Sequence, residues 1–222
     1  MAGRVTSAAV QDYLKAIYLL ESHHQGAVPV TALAAHLHVT TASVSGMVNR
    51  LAKQGLVHHA RYRGVRLSPE GRRLALAMVR RHRLLETLLV EELGMSWDEV
   101  HAEAETLEHA VSDRLLTRIA AKLRDPARDP HGDPIPSADL EITEAATQVL
   151  ERLPVGSKGR IVRVLDADPE LLAYLDREGI ALGDELEVLT PEPFGGSLRL
   201  SLGGRERRLG RLAARALAVE VG

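Results

Sequence analysis

Two runs of this chain carry imidazoles and carboxylates at helical spacing, and they narrow the possible folds more than any other stretch. RRHRLLETLL (residues 80–89) sets His82 and Glu86 four apart, and VHAEAETLEH (residues 100–109) holds His101, Glu105, Glu108 and His109. Residues three and four apart share a helix face. At 3.6 residues per turn the second group falls within roughly 100° of arc. Val100, Ala104, Leu107 and Val111 form an adjoining apolar stripe that would fix this helix to a core. Nitrogen and oxygen donors converging without cysteine suit a divalent first-row metal. Each residue alone fits a solvated helix face better; the set, spread over two helices, points to a metal.

Charge is divided along the chain. Residues 1–83 hold twelve Lys and Arg against Asp12, Glu21 and Glu70, a net of +9, whereas the remainder holds sixteen basic and twenty-seven acidic residues, a net of −11. A basic front on an acidic body suits a partner such as nucleic acid. The 222 residues contain no cysteine, which excludes a disulfide scaffold and a thiolate metal site. No apolar run is long enough to cross a membrane and no secretory leader is recognisable. The expectation is a cytoplasmic protein with no membrane partner.

In chain order, Val10 to Leu20 reads as an amphipathic helix with Asp12 near its start, where an acid is ordinarily a dipole partner. VTALAAHLHV is a short helix, Val39-Thr40-Thr41 a turn, and Thr41 to Gln54 a second helix with Val44, Met47, Val48 and Leu51 inward. Two short helices around a tight turn form a helix-turn-helix, whose second helix enters the major groove. Its exposed positions are Thr40, Thr41, Ala42, Ser43, Ser45 and Gly46, with Asn49 and Arg50 a turn further. Small hydroxyl residues let backbone approach DNA, donate to phosphate and touch a thymine methyl. LVHHARYRGVRLS then reads as a two-stranded wing that carries Arg61 and Arg63 towards phosphate or the minor groove. His58 and His59 are adjacent on a strand, so they face opposite ways and are read as structural.

Ser68-Pro69-Glu70 starts a long helix that Gly94 ends, and Ser96 with Glu99 forms a capping box for a helix expected to continue to about Leu123. Leu85, Leu88, Leu89, Leu115, Leu116 and Ile119 are left over for helix-to-helix dimerisation. DPARDPHGDPIPS (residues 125–137) is a loop. From Pro154 five short β-rich runs, GRIVRVL, DELEVLT, LRLSL, ERRLG and ALAVEV, suggest a small barrel. The fold expected is mainly α with a small β portion. It comprises a winged helix-turn-helix (1–74), a helical metal-binding and dimerisation domain (75–141), a linker (142–153) and a C-terminal SH3-like barrel (154–222).

With RRHRLLETLL, VHAEAETLEH and PHGDPIP following a winged helix in that order, the chain resembles the diphtheria toxin repressor family of metal-dependent transcription regulators. The resemblance spans nearly the whole length and is stronger over residues 8–140 than over the barrel. It implies a primary metal site at Asp12, Glu105, Glu108 and His109. It also implies an ancillary site at His82, Glu86 and His101, completed from the barrel by Glu170 and by a position near Ala167, flanked by Asp166 and Asp168. The iron-responsive branch has methionine and cysteine where this chain has Asp12 and Glu105, the pair found in the manganese-responsive branch. Hard carboxylates favour Mn²⁺ or Fe²⁺ over Zn²⁺ or Cu. Lys15 departs from the short manganese regulators, which have an acidic ligand there; a charged lysine cannot ligate.

The resemblance further implies a homodimeric repressor of metal-uptake genes, gated by Mn²⁺ with Fe²⁺ as the alternative and binding double-stranded operator DNA. Two rivals stand beside it. One is a winged-helix regulator that senses a small organic ligand; the other, weaker for want of a general base or oxyanion donors, is a metal-dependent hydrolase.

Overall fold

The computed structural model describes residues 7–24, 26–60, 63–165, 168–190, 192 and 196–222. Two compact units make up the chain: Met1–His82 with Pro136–Glu141, and Arg83–Ile135 with Ile142–Gly222.

The first unit begins with α1 (Ala8–His24), α2 (Val30–His36) and α3 (Thr41–Lys53), followed by β1 (Val57–Ala60) and β2 (Gly64–Leu67). α1 starts two residues before the expected Val10, so Asp12 stands in its second turn rather than its first. Val10, Leu14 and Ile17 of α1 meet Leu33, Val44, Val48 and Leu51 of the helix-turn-helix and Val65 of β2 in one core. β1 and β2 pair antiparallel with Val57 opposite Leu67 and His59 opposite Val65. Val28 adds a bridge: its N–H donates to Val65 O at 2.8 Å, and Val65 N–H returns to Val28 O at 2.9 Å. Gly64 at φ +81° lies where a Cβ would stand 2.7 Å from Val28 O, so the wing can close only on glycine. Glu21 on α1 accepts from Leu67 N–H at 2.8 Å and pairs with Arg72 of the next helix, tying wing and helix together.

α4 (Pro69–Leu93) opens as expected behind Ser68, whose Oγ accepts from Gly71 N–H at 3.0 Å, and is ended by Gly94 at φ +71°. In the second unit its C-terminal half packs with α5 (Trp97–Leu107) and α6 (Asp113–Lys122) around Leu84, Leu85, Leu89, Val100, Ala104, Ile119 and Leu123. Two expectations change here. The helix read through to Leu123 is two helices, because Ser112 caps α6 by accepting from Leu115 N–H at 3.2 Å and forces a turn after His109. Three residues assigned to dimerisation, Leu85, Leu89 and Ile119, are core; Leu88 and Leu116 are half-buried, and Leu115 remains 50% exposed. Ser96 does cap α5, but its Oγ donates to Glu99 Oε2 at 2.7 Å instead of accepting a backbone N–H.

Among the described residues, the C-terminal part is one antiparallel sheet of six strands, not five. Its order is β3 (Gln148–Val149), β8 (Leu217–Val221), β4 (Lys158–Val164), β5 (Glu185–Val188), β6 (Leu198–Leu202) and β7 (Arg205–Leu209). β3 and the 3-10 turn Leu150–Arg152 come from the segment read as linker: two residues are too few to show an alternating pattern, yet Leu150 is fully buried in this core. Two short helices, α7 (Pro169–Arg177) and α8 (Arg211–Arg215), were not expected. α7 does carry a helix-start signal, Asp168-Pro169, with Asp168 Oδ1 accepting from Glu170 N–H and Leu171 N–H.

Candidate metal centre and nucleic-acid face

Thr40 caps α3, its Oγ1 accepting from Ser43 N–H at 3.2 Å and lying 3.0 Å from Ser43 Oγ. The cap leaves Thr40, Thr41, Ala42, Ser43, Gly46, Asn49 and Arg50 exposed, as expected for a recognition helix, while Val44, Val48 and Leu51 anchor the opposite side. Ser45 is half-buried, and its hydroxyl donates to Thr41 O at 2.8 Å. Arg63 is exposed at the turn before β2; Arg61 lies outside the described residues. Gly46 has no heavy atom within 4 Å of where a Cβ would stand, so this point of α3 is open. This face can bring N–H, hydroxyl and guanidinium donors to phosphate over a rigid support.

In the second unit, Glu86 is 3% exposed on α4 and lies 3.1 Å from His101 Nδ1 of α5. His101 Nε2 is in turn 3.6 Å from Glu105 Oε1 on the exposed side of α5. His82, buried one turn before Glu86, stands on the same face of α4. α5 ends at Leu107, and Glu108, only 1% exposed, is its C-cap; His109 Nε2 lies 3.6 Å from Glu108 Oε1. A carboxylate at the negative end of a helix dipole, out of reach of water, demands a compensating positive charge. A hard divalent cation held by Glu108 and His109 could supply that charge, while Glu105 stands on the His101 side of the helix.

Asp12 is half-buried on α1 in the first unit. Glu170 is exposed in the first turn of α7 and belongs to no group of converging ligand atoms in its own unit; Asp166 and Ala167 lie outside the described residues.

The loop after α6 holds residues that the sequence alone did not single out. Arg83, 6% exposed, donates from Nη1 to Pro134 O at 2.6 Å and faces Asp129 Oδ2 at 3.5 Å and Asp133 Oδ1 at 3.3 Å. Asp129 Oδ1 accepts from the N–H groups of both His131 and Asp133 at 2.9 Å, which folds the loop upon itself. Burial first, and then the charges of Asp133 and Glu86, push the Asp129 carboxyl up to about 8 against the pull of Arg83. β4 clamps the loop from outside. Val164 N–H donates to His131 O at 2.8 Å, Arg163 pairs with Asp133, and Gly132 sits where a Cβ would meet Val162 O at 2.1 Å. The available signal was DPHGD (residues 129–133), with a histidine and two aspartates inside five residues.

Three matches to known proteins bear on these arrangements. Residues 5–65 match the iron dependent repressor N-terminal DNA binding domain, residues 68–137 its metal binding and dimerisation domain, and residues 149–221 the FeoA domain. The diphtheria toxin repressor of Corynebacterium efficiens is 36% identical over 192 residues, covering 81% of this chain and 82% of that protein. The iron-dependent repressor IdeR of Mycobacterium leprae is 33% identical over 221 residues, covering 94% and 95%. Among solved structures, a manganese-dependent transcriptional repressor in complex with manganese is 47% identical with a TM-score of 0.89, covering 96% of this chain and 100% of that one. The manganese regulator SloR is 31% identical with a TM-score of 0.78, covering 96% and 98%. These relatives are repressors, so the hydrolase alternative falls away. No helix among the described residues is long and apolar enough to cross a membrane. With its DNA-binding, dimerisation and FeoA portions all matched in order, the chain belongs to the diphtheria toxin repressor family of metal-dependent transcription regulators.

Proposed function

We propose that this chain is a manganese-responsive repressor of metal-uptake genes that binds double-stranded operator DNA as a homodimer. The observation that carries the reading is Glu108, a carboxylate buried at the C-terminus of α5 beside His109. With Glu105 and, by the family resemblance, Asp12 of α1, it makes a donor set of carboxylate oxygens and one imidazole without sulfur. That set suits Mn²⁺, with Fe²⁺ as the alternative. His82, Glu86 and His101, with Glu170, form the ancillary set in this reading. When bound, the cation supplies the positive charge that lets these carboxylates stand together. Without it, Asp12 and Glu108 repel each other and α1 is not tied to α5. With the charge in place, α1 holds α3 so that two recognition helices of a dimer meet half-sites about one helical turn apart. Metal and operator then strengthen each other's binding reciprocally.

The DNA contacts in this reading are the exposed start of α3 from Thr40 to Gly46, with Asn49 and Arg50, and the wing arginines Arg61 and Arg63. The test is operator binding by metal-stripped protein, titrated with Mn²⁺ and, anaerobically, with Fe²⁺, on a fragment upstream of its own or a neighbouring uptake gene. Mn²⁺-dependent binding that EDTA reverses, and that Asp12→Ala and Glu108→Ala each weaken at least tenfold, is the expected result. Binding indifferent to chelation would replace this reading with the regulator of a small organic ligand.

A further inference from the structure

We propose that Glu86, Asp129 and His131 hold a further divalent cation, with the Glu86 carboxylate shared between it and the ancillary site. One ligand atom from each of the three lies within 4.8 Å of the others, and all three residues are buried. Two donors on opposite sides of one first-row cation, at bonds of about 2.0–2.2 Å, stand up to roughly 4.4 Å apart. The 4.8 Å bound is slightly wider than that span, so the three ligand atoms would draw in by a few tenths of an ångström around a shared cation.

A second observation is independent of that clustering. His131 is 4% exposed, and its Nε2 is buried without a hydrogen-bond partner. A buried imidazole nitrogen left unmatched is costly unless something occupies it. Its ring is held in place, edge-on to Trp97 with centroids 5.8 Å apart, while its backbone is bound at both ends by Asp129 and Val164.

Charge points the same way. Asp133 is taken up by Arg83 and Arg163, and Arg83 reaches Asp129 only at 3.5 Å. Glu86 and Asp129 thus bring two buried carboxylates together, with His101 Nδ1 3.1 Å from Glu86 and Arg83 3.5 Å from Asp129. The donors are two carboxylates and one imidazole, the hard set expected of Mn²⁺ or Fe²⁺.

The ancillary role of Glu86 rests on the proposed function, but one experiment separates the two. Full-length, metal-stripped protein is saturated with Mn²⁺; bound metal is counted after equilibrium dialysis, and electron paramagnetic resonance reads whether the ions are coupled. The wild type is expected to hold three Mn²⁺ per protomer, two of them spin-coupled through Glu86. His131→Gln, and Asp129→Asn, which keeps the loop's Oδ1 acceptor, should each lose one equivalent, abolish the coupled signal and add an isolated ancillary ion to the uncoupled six-line signal of the primary ion. Glu108→Gln should lose a different equivalent and keep the coupled pair. Equal metal counts and unchanged spectra in the wild type, His131→Gln and Asp129→Asn would overturn the added site. A Glu108→Gln protein with an undiminished count would instead overturn the primary site. Far-UV circular dichroism confirms that each variant is folded.

Discussion

The nucleic-acid face and the buried loop cluster are built on opposite plans. The face is continuous in sequence: cap, recognition helix and wing turn all lie between Thr40 and Leu67, and the cap bond and the β1–β2 pairing are local, with Val28 and Glu21 bracing the wing from further away. The cluster gathers Arg83 and Glu86 from α4, His101 from α5, Asp129 to Asp133 from a loop and Arg163 from β4. A face assembled locally can change its contacts and keep its fold. A cluster assembled across the chain binds its parts so closely that one change leaves several buried groups unmatched.

The contrast predicts a ranking of effects. Arg83→Ala should be the most damaging: it strips the counter-charge from buried Asp129, one of two guanidinium partners from half-buried Asp133, and the donor from Pro134 O. Breaking one side of a buried pair costs about 3–5 kcal/mol, read by urea unfolding of metal-stripped protein. Gly132→Ala should come next at on the order of 2–4 kcal/mol, since its φ of +87° disfavours any side chain and Val162 O blocks a Cβ. Gly132 itself supplies no ligand atom, so a loss of Mn²⁺ capacity in this variant would show that the loop's shape, held by β4, controls the metal cluster.

On the other side of the comparison, Thr40→Ala removes a cap on α3 and should cost only about 1 kcal/mol. If it cost as much as Arg83→Ala, the distinction between the two regions would collapse. Arg63→Ala should leave stability unchanged, weaken operator and nonspecific DNA alike, and lower the slope of log affinity against log salt by about 1. The smallest effect belongs to Glu151, which Arg215 and then Arg211 hold below its ordinary 4.5 by hydrogen bonds and charge. A depressed carboxylate stabilises the fold above its unfolded value and loses that contribution as pH falls through the folded one. The melting temperatures of Glu151→Gln and wild type should therefore converge below pH 4.5, and differ slightly at pH 7.

The legibility of the chain obeys the same division. Ser68-Pro69 as a helix start and Gly94 as a stop act over single turns, and the structure keeps both of them. His82, Glu86, His101, Glu105, Glu108 and His109 stand out because helical spacing places donors on one face whatever the helix packs against. Leu85, Leu89 and Ile119 mislead because an apolar residue looks the same whether its partner is the chain's own core or a second copy. β3 and α8 are short enough that neighbours, rather than propensity, decide them.

By itself, then, the sequence determined the winged helix-turn-helix, the two metal-bearing helices and the absence of sulfur from their donors, because all of these are properties of residues near one another along the chain. Only the tertiary structure decided that Asp129 and His131 come to Glu86, that Arg83 is their internal counter-charge, and that β4 holds their loop in place. The reason is physical: burial and charge compensation depend on which distant segments exclude water together, and no local pattern records that.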